Sequence, residues 1–259
     1  MGAVTTPSQA QILAFCAEDP VERVFLEEMA RRRATRFAAV ERGGKLAALA
    51  YLGANAVPSG QGCDAFADLV AGDPPRMLIG DEGAVTELWD GAQDRLPVPR
   101  EDRPGQPVFA IADRPGPACS GLRPARKSDL ELLLPACAVA HEEELGTNPL
   151  DGDGEAFRRR TLAQIEEGRS WLWAERGAIL FKAEASAWTP SAVQLQQVWV
   201  DPDARNQGHG RRGLSDLCSL LLDRVQTVCL FVRRENVPAI RLYETIGMRR
   251  AGTYRSVLF

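Results

Sequence analysis

The run Arg205-Asn206-Gln207-Gly208-His209-Gly210 sets two glycines one residue apart, directly after the apolar Val198-Trp199-Val200-Asp201 segment and before an apolar-periodic stretch over 211–225. That order reads as a buried strand, a tight glycine turn and the opening of a helix. Free backbone N–H groups at a helix N-terminus make an anion site, and glycines, lacking Cβ, let the backbone approach phosphate oxygens closely. Arg205, Arg211 and Arg212 surround the turn with positive charge, so the anion implied is a pyrophosphate. A second motif follows a predicted strand over 227–232: Asn236-Val237-Pro238-Ala239-Ile240-Arg241-Leu242-Tyr243-Glu244-Thr245-Ile246-Gly247-Met248. Here Ala239, Leu242, Tyr243 and Ile246 share one helical face, and Gly247 is suited to stop the helix.

Together the two stretches resemble the GNAT (GCN5-related) N-acetyltransferases. Arg205 to Gly210 matches that family's R/Q-x-x-G-x-G/A loop, and Asn236 with Ala239, Leu242, Tyr243 and Gly247-Met248 matches its N-x-x-A-x-x-L-Y-x-x-x-G-F/M block. The likeness covers about 122–259. It implies a GNAT fold, an α/β (α+β) layout with a mixed, mostly antiparallel central sheet flanked by helices. It also implies acetyl-CoA as acyl donor, no metal, and direct transfer of an acetyl group to a primary amine, either of a small molecule or of a protein. The residues it assigns to acetyl-CoA are Val198, Trp199 and Val200, whose backbone N–H groups face the pantetheine and thioester, then Arg205, Asn206, Gln207, Gly208, His209, Gly210, Arg211 and Arg212. Asn236, Ala239 and Tyr243 complete the set. Asn236 is also a natural N-cap ahead of Pro238. His209 reads as a turn residue whose amide matters, and Trp199 serves equally as a core aromatic.

Tyr243 takes from the resemblance the role of general acid, donating a proton as the thiolate leaves. The base is less determined. Many members carry a Glu on the strand before the loop, where this chain has Gln194, and glutamine accepts no proton at neutral pH. Glu184 on the neighbouring strand is the preferred base. His141, Glu142, Glu143, Glu144 and a water chain remain open, although the acidic triplet also reads as a solvated helix end. The missing strand carboxylate motivates a rival reading, a CoA-binding sensor or regulatory module without turnover.

With 31 Lys and Arg against 35 Asp and Glu, the net charge of −4 excludes a strongly basic nucleic-acid-binding surface. Lys occurs only at positions 45, 127 and 182, an Arg bias that fits a G+C-rich bacterial coding sequence. The six cysteines form no C-x-x-C pair and only two histidines accompany them, which argues against a zinc or redox motif. No signal-peptide pattern or bilayer-length apolar run is present, so the expectation is a reduced, cytoplasmic protein with no membrane partner. A dimer is open.

The 259 residues accommodate two domains. The Pro- and Gly-rich stretches over 96–107 and 114–117 are boundary signals, and the second gives the cut: an N-terminal α/β domain over 1–117, noncatalytic, and a catalytic domain over 118–259. The first half reads as a helix over 21–33, a hairpin of strands over 37–41 and 46–54 turning at Gly43-Gly44, a short helix over 63–70, a strand over 76–79, a helix over 84–92 and a strand over 108–112. This order fits an eroded copy of the second half. Nothing in it is read as a pyrophosphate loop, and Gly80-Asp81-Glu82-Gly83 places two acids where an anion would sit. The second half reads as a strand over 122–124, helices over 128–145 and 155–167, strands over 171–175, 178–188 and 193–200, the two motifs, and a last strand over 253–259. The whole is similar to actinobacterial two-domain GNAT proteins with an uncharacterised N-terminal domain. Its matching features are Glu142-Glu143-Glu144-Leu145-Gly146, the Ile179 to Glu184 strand and the Ser256-Val257-Leu258-Phe259 end.

Overall fold

A computed structural model describes residues 3–118 and 120–259. Cys119, one of the six cysteines counted above, lies outside the described residues. The first half runs β1 (Val4–Thr5), α1 (Gln9–Glu18), α2 (Val24–Arg31), β2 (Phe37–Arg42), β3 (Lys45–Leu52), β4 (Ala56–Gly60), a 3-10 turn (Cys63–Phe66) leading into α3 (Ala67–Gly72), β5 (Met77–Asp81), α4 (Glu82–Ala92) and β6 (Glu101–Ile111). The second runs β7 (Arg123–Pro124), α5 (Leu130–Leu145), α6 (Gly154–Glu166), β8 (Ser170–Glu175), β9 (Ala178–Trp188), β10 (Ala192–Val200), α7 (His209–Leu221), β11 (Thr227–Phe231), α8 (Val237–Thr245) and β12 (Arg249–Leu258). The order of strands and α-helices is the same in both halves.

One 12-stranded sheet passes through both, in the order β1-β2-β3-β4-β5-β12-β6-β11-β10-β9-β8-β7. Exchanging each first-half strand for its counterpart reverses this order and leaves it unchanged, so the chain is an internal pseudo-dimer. The pairs β4–β5 and β10–β11 are parallel and the others antiparallel. The last strand of each half crosses over: β12 lies against β5, β6 lies against β11, and the two meet along their lengths.

Both faces of the sheet are covered, which is why strands such as β2 and β8 read as nearly continuous apolar runs rather than alternating ones. In the second half, Leu133, Cys137, Phe157 and Ile165 from α5 and α6 pack on Leu172, Ile179 and Trp199. On the other face Leu214, Leu217, Tyr243 and Ile246 from α7 and α8 pack on Phe181, Ala183, Leu195 and Phe109. The first half repeats this with α1 and α2 over Phe37, Ala39 and Leu49, and with α3 and α4 over Ala38, Val40 and Ala48. The halves are also tied by Glu28, buried at 3% exposure, which accepts from the Trp188 amide at 3.0 Å and pairs with Arg169. Tyr254 Oη donates to the Glu22 carbonyl at 2.7 Å.

Several expectations about the first half need correction. α1 was hidden by a polar N-terminal composition, yet a Ser8–Gln11 capping box starts it and Ile12, Phe15 and Cys16 bury its inner face. β4 adds a strand between the expected hairpin and the short helix; Pro58 and Gly60 are poor strand residues, but it pairs with β3 throughout. The Pro-rich stretch over 101–107 is strand as well: Pro104 and Gly105 sit at a register shift opposite β12, and Gly105 has φ +71°. Most relevant to function, the first half does contain a counterpart of the glycine loop. Gly60 ends β4 and Gly62 caps the 3-10 turn before α3, the place in the element order at which Gly208 caps α7 after β10. The acidic Gly80 to Gly83 stretch is the end of β5 and the start of α4, and so corresponds to the approach to α8; Asp81 caps α4 and Glu82 accepts from the Gly105 amide at 2.9 Å.

Candidate active site

β10 and β11 pair only from Ala192↔Thr227 to Gln194↔Cys229 and then diverge, opening a cleft toward the start of α7. Within that cleft β10 carries a second irregularity. Its register against β9 shifts between Gln196 and Trp199, and Gln197 has φ +48°, a region costly for a residue with Cβ. Lys182, buried from β9, holds the distorted segment: its ammonium donates to Gln197 Oε1 at 3.0 Å and to Glu184 Oε1 at 2.6 Å, and lies 3.3 Å from Cys137 Sγ.

This network changes the role of Glu184. Burial pushes its carboxyl up, but the Lys182 charge and hydrogen bonds from Lys182, Cys137 and Gln196 outweigh burial and hold it below the ordinary carboxylate range. Burial pulls the Lys182 ammonium down, and Glu184 and Cys137 more than offset that. Both partners therefore stay charged in a buried ion pair, and the expected base is occupied as a counter-ion. The Cys137 thiol is pushed up to about 12, chiefly by burial, so it is no nucleophile at neutral pH. Gln194 donates to Ser186 Oγ at 3.0 Å.

The glycine turn begins beyond β10. Asp201 caps the short Pro202–Ala204 turn, Asn206 has φ +63°, and Gly208 has φ +81° as the N-cap of α7. Among the described residues, the N–H groups from Asn206 to Arg211 donate to no protein acceptor; Arg212 N–H is the first to close a helical bond, to the Gly208 carbonyl at 3.1 Å. A Cβ on Gly208 would meet open space, while one on Gly210 would come within 3.2 Å of Leu242 and 3.3 Å of Val200. Gly210 thus lets α7 sit close to β10 and α8. The turn is a cradle of unpaired donors at a helix start.

The predicted side chains around the turn separate into two groups. Arg211, Asn206 and Gln207 are exposed. Arg212 lies over the Trp173 ring at 4.6 Å and reaches His209 Nδ1 at 3.3 Å, and His209, which begins α7, meets the same ring edge-on. His209 is therefore a packed residue beside the turn. Arg205 turns away toward α5, pairing with Glu143 at 2.7 Å. Val198 and Val200 pack on the α7 side and Trp199 on the α5 side of β10, with the Trp199 Nε1–H buried and unpartnered. Asn236 caps α8 by accepting from the Ala239 amide at 3.2 Å.

Tyr243 projects from α8 into the core at 5% exposure, its ring 5.6 Å from Phe109. Burial, reinforced by the charge of Glu144, raises its phenol well above the ordinary value and keeps it protonated. Glu144 stands at the end of α5, where its carbonyl accepts from Arg103 at 3.0 Å and from Arg233. Much of its side chain reaches solvent. Desolvation raises its carboxyl against the opposing charges of Arg103, Arg233 and Lys182. No signal in the sequence separates Glu144 from its two acidic neighbours. His141 meets the Phe157 ring edge-on, and burial lowers its imidazole. Arg158 pairs with Glu131, and Arg160 covers Phe157. A cavity of about 420 Å³ in the first half, bordered by Arg36, Phe37, Leu52 and Asp73, includes none of these residues. Among the described residues no group of His, Cys, Asp and Glu has the makings of a metal site, and no helix is long and apolar enough to cross a membrane.

A divergent parallel strand pair thus leads to an open cradle of amides, with a buried tyrosine on the helix that follows β11. Residues 138–248 match the model of the acetyltransferase (GNAT) family, and this part of the chain belongs to that family. Residues 35–133 match a domain of unknown function, DUF4081. A mycothiol acetyltransferase from Thermobispora bispora is 32% identical over 138 residues, which cover 49% of this chain and 44% of that protein, so the match spans less than half of the relative. Among solved structures, a GCN5-related N-acetyltransferase from Sphaerobacter thermophilus aligns with a TM-score of 0.63 at 18% identity, over 98% of this chain and 94% of that one. An acetyltransferase of the GNAT family from Colwellia psychrerythraea aligns with a TM-score of 0.58 at 10% identity over 99% of each. At these identities the structures speak for the shared fold, and they share it across both halves.

Proposed function

We propose that the chain is an acetyl-CoA-dependent N-acetyltransferase whose chemistry is carried by residues 118–259. The observation behind this reading is the run of unpaired amides from Asn206 to Arg211 at the mouth of the diverging β10–β11 pair. These amides receive the pyrophosphate, with Arg211 and Arg212 adding charge. Arg205, paired with Glu143, joins the loop to α5. The distorted Val198–Val200 end of β10 offers backbone donors to the pantetheine and the thioester oxygen. Asn236 shapes the opposite wall through the α8 cap, and Ala239 keeps that wall small.

In the reaction the neutral amine nitrogen attacks the thioester carbon, the adduct sheds one N–H proton to solvent as the C–S bond breaks, and the departing thiolate takes the proton of Tyr243, which solvent later restores. The acceptor arrives as an ammonium and must lose a proton first. Glu184 is held in its ion pair with Lys182, so we assign that proton to Glu144, whose charge acts on the Tyr243 phenol and which makes no ion pair of its own among the described residues. The acceptor is a primary amine, and the unacetylated form of mycothiol heads the panel to be tried because of the Thermobispora relative.

The test is thiol release from acetyl-CoA across a panel of small amines and peptide N-termini. Acetylated product from one of them, lost in Tyr243→Phe, supports the assignment. A second reading, a CoA-binding module without turnover, is favoured by Gln194 and by the commitment of Glu184 to Lys182. Tight acetyl-CoA binding with neither transfer nor hydrolysis would select it.

A further inference from the structure

The strand that separates β11 from β12 comes from the other half of the molecule. β6 pairs with β11 from Val108 to Ile111 and with β12 from Glu101 to Ala110. From it the fully buried Phe109 sets its ring against Tyr243, with centroids 5.6 Å apart and planes at 60°, an edge-to-face contact of the favoured kind. The Arg250 guanidinium lies 5.9 Å from the same ring. Six residues earlier, Arg103 donates to the Glu144 carbonyl at 3.0 Å and to Glu101 at 2.5 Å, and its side chain is only 10% exposed. One first-half strand therefore touches both the tyrosine and the end of α5.

We propose that the first half works as an in-chain partner of the transferase, acting through β6: Phe109 positions the Tyr243 phenol and Arg103 positions the last turn of α5 that carries Glu144. This rests on the reading of Tyr243 as the proton donor. The geometry explains why the half persists although its own glycine turn is closed by a carboxylate, Glu87, which accepts from the Gly62 and Cys63 amides. A GNAT half built only from β7 to β12 would have a gap between β11 and β12, and would lack the ring that Phe109 sets against Tyr243. Phe109 and Arg103 are positioning residues; neither needs to touch substrate.

The experiment uses the full chain and the substrate found in the amine panel. Phe109→Leu keeps an apolar side chain but removes the ring. It should lower kcat tenfold or more while the acetyl-CoA dissociation constant stays within twofold, and in a Tyr243→Phe background it should cost nothing further. Arg103→Met should likewise lower kcat without weakening acetyl-CoA binding. It covers the case in which Phe109→Leu does not fold. In addition, a protease site placed in the 112–118 segment should give a nicked protein whose pieces stay together and active. The proposal is overturned if kcat survives in the folded variants, if the two losses add in full, or if the second-half piece separates with wild-type turnover. Wild-type turnover by Tyr243→Phe would instead remove the acid assignment itself, so the two failures are distinct.

Discussion

The two glycine turns sit at matching places in two halves with the same order of strands and helices, and they differ in what faces their amides. In the second half the donors from Asn206 to Arg211 are open. In the first, Glu87 on α4 reaches back to accept from Gly62 at 2.7 Å and Cys63 at 2.9 Å. A carboxylate built into the chain thus stands where a phosphate would bind, and the helix behind it has shrunk from the thirteen residues of α7 to the six of α3. The halves also treat their buried carboxylates differently. Glu184 is neutralised by Lys182, whereas Glu22, beside Arg23 and Ser59, is pushed up to about 7. The backbone that makes a cofactor site is therefore insufficient. What decides is whether side chains leave its donors vacant.

The largest expected effect comes from closing the open turn. Gly208→Trp demands a bulky side chain at φ +81° and fills the space before the amides, so acetyl-CoA affinity measured by calorimetry should fall by about a hundredfold or more while the protein stays folded. Gly210→Leu should also weaken binding, but it must push Val200 and Leu242 aside and will lower Tm as well. Residual tight binding in folded Gly208→Trp would locate a second site in the first half and break the comparison. Next in size is Tyr243→Phe, with kcat reduced on the order of a hundredfold and KM for acetyl-CoA little changed, since ring packing is kept and only the proton is lost. A loss confined to KM would make Tyr243 a packing residue.

Legibility in the sequence follows the same division. The second half could be read almost throughout because its helices are long and its motifs have fixed spacing: Gly208, Gly210, Asn236 and Tyr243 are at the places the pattern implies. The first half kept the topology but lost the spacing. Gly60-Gln61-Gly62 lacks flanking arginines and a long following helix, and its anion, Glu87, is twenty-five residues from Gly62 in sequence, so no local pattern connects them. β6 was legible only as its apolar end, since Pro104 and Gly105 at a register shift imitate a linker. The exchange of β6 and β12 is a tertiary fact without a local signal. Glu184 shows the converse limit: its position was read from the strand, but its pairing depends on Lys182 two residues away sharing a face with it and on Gln197 from the next strand.

A smaller effect tests the internal carboxylate. Glu87→Ala leaves the Gly62 and Cys63 amides without their partner in the first half, and hydrogen bonds to charged groups are worth about 1.5 to 3 kcal/mol each. Because Glu87 is half-buried and water can replace part of the interaction, a net loss of about 1 to 3 kcal/mol is expected in denaturant unfolding, with kcat unchanged. If stability did not move, the carboxylate would not be what satisfies the turn. Gain of calorimetric CoA binding by the same variant in a Gly208→Trp background would sharpen the comparison further, by showing that one side chain separates a closed turn from an open one.

The smallest effect concerns Glu22. Burial raises its carboxyl to about 7 despite the Ser59 hydroxyl at 2.7 Å and the Arg23 guanidinium at 3.0 Å, with Asp81 and Asp19 adding to the rise. A carboxyl raised in the folded state is bound to its proton more tightly there than in the unfolded chain. Its stabilising contribution is then complete below the ordinary carboxylate range and is lost as pH climbs through about 7. Glu184, lowered in the fold, works in the opposite sense and falls away only in acid. Between pH 5 and 8 Glu22 should therefore contribute a Tm that drops by a few degrees toward the alkaline side, in the same sense as the raised Glu144 and against the lowered His141, so its share is read from the difference between the parent and Glu22→Gln. Glu22→Gln, which stays neutral and keeps the side-chain carbonyl facing Ser59, should flatten that slope and raise Tm at pH 8 relative to the parent. An unaltered slope in Glu22→Gln would mean that Arg23 compensates the charge in full, making the two buried carboxylates alike after all.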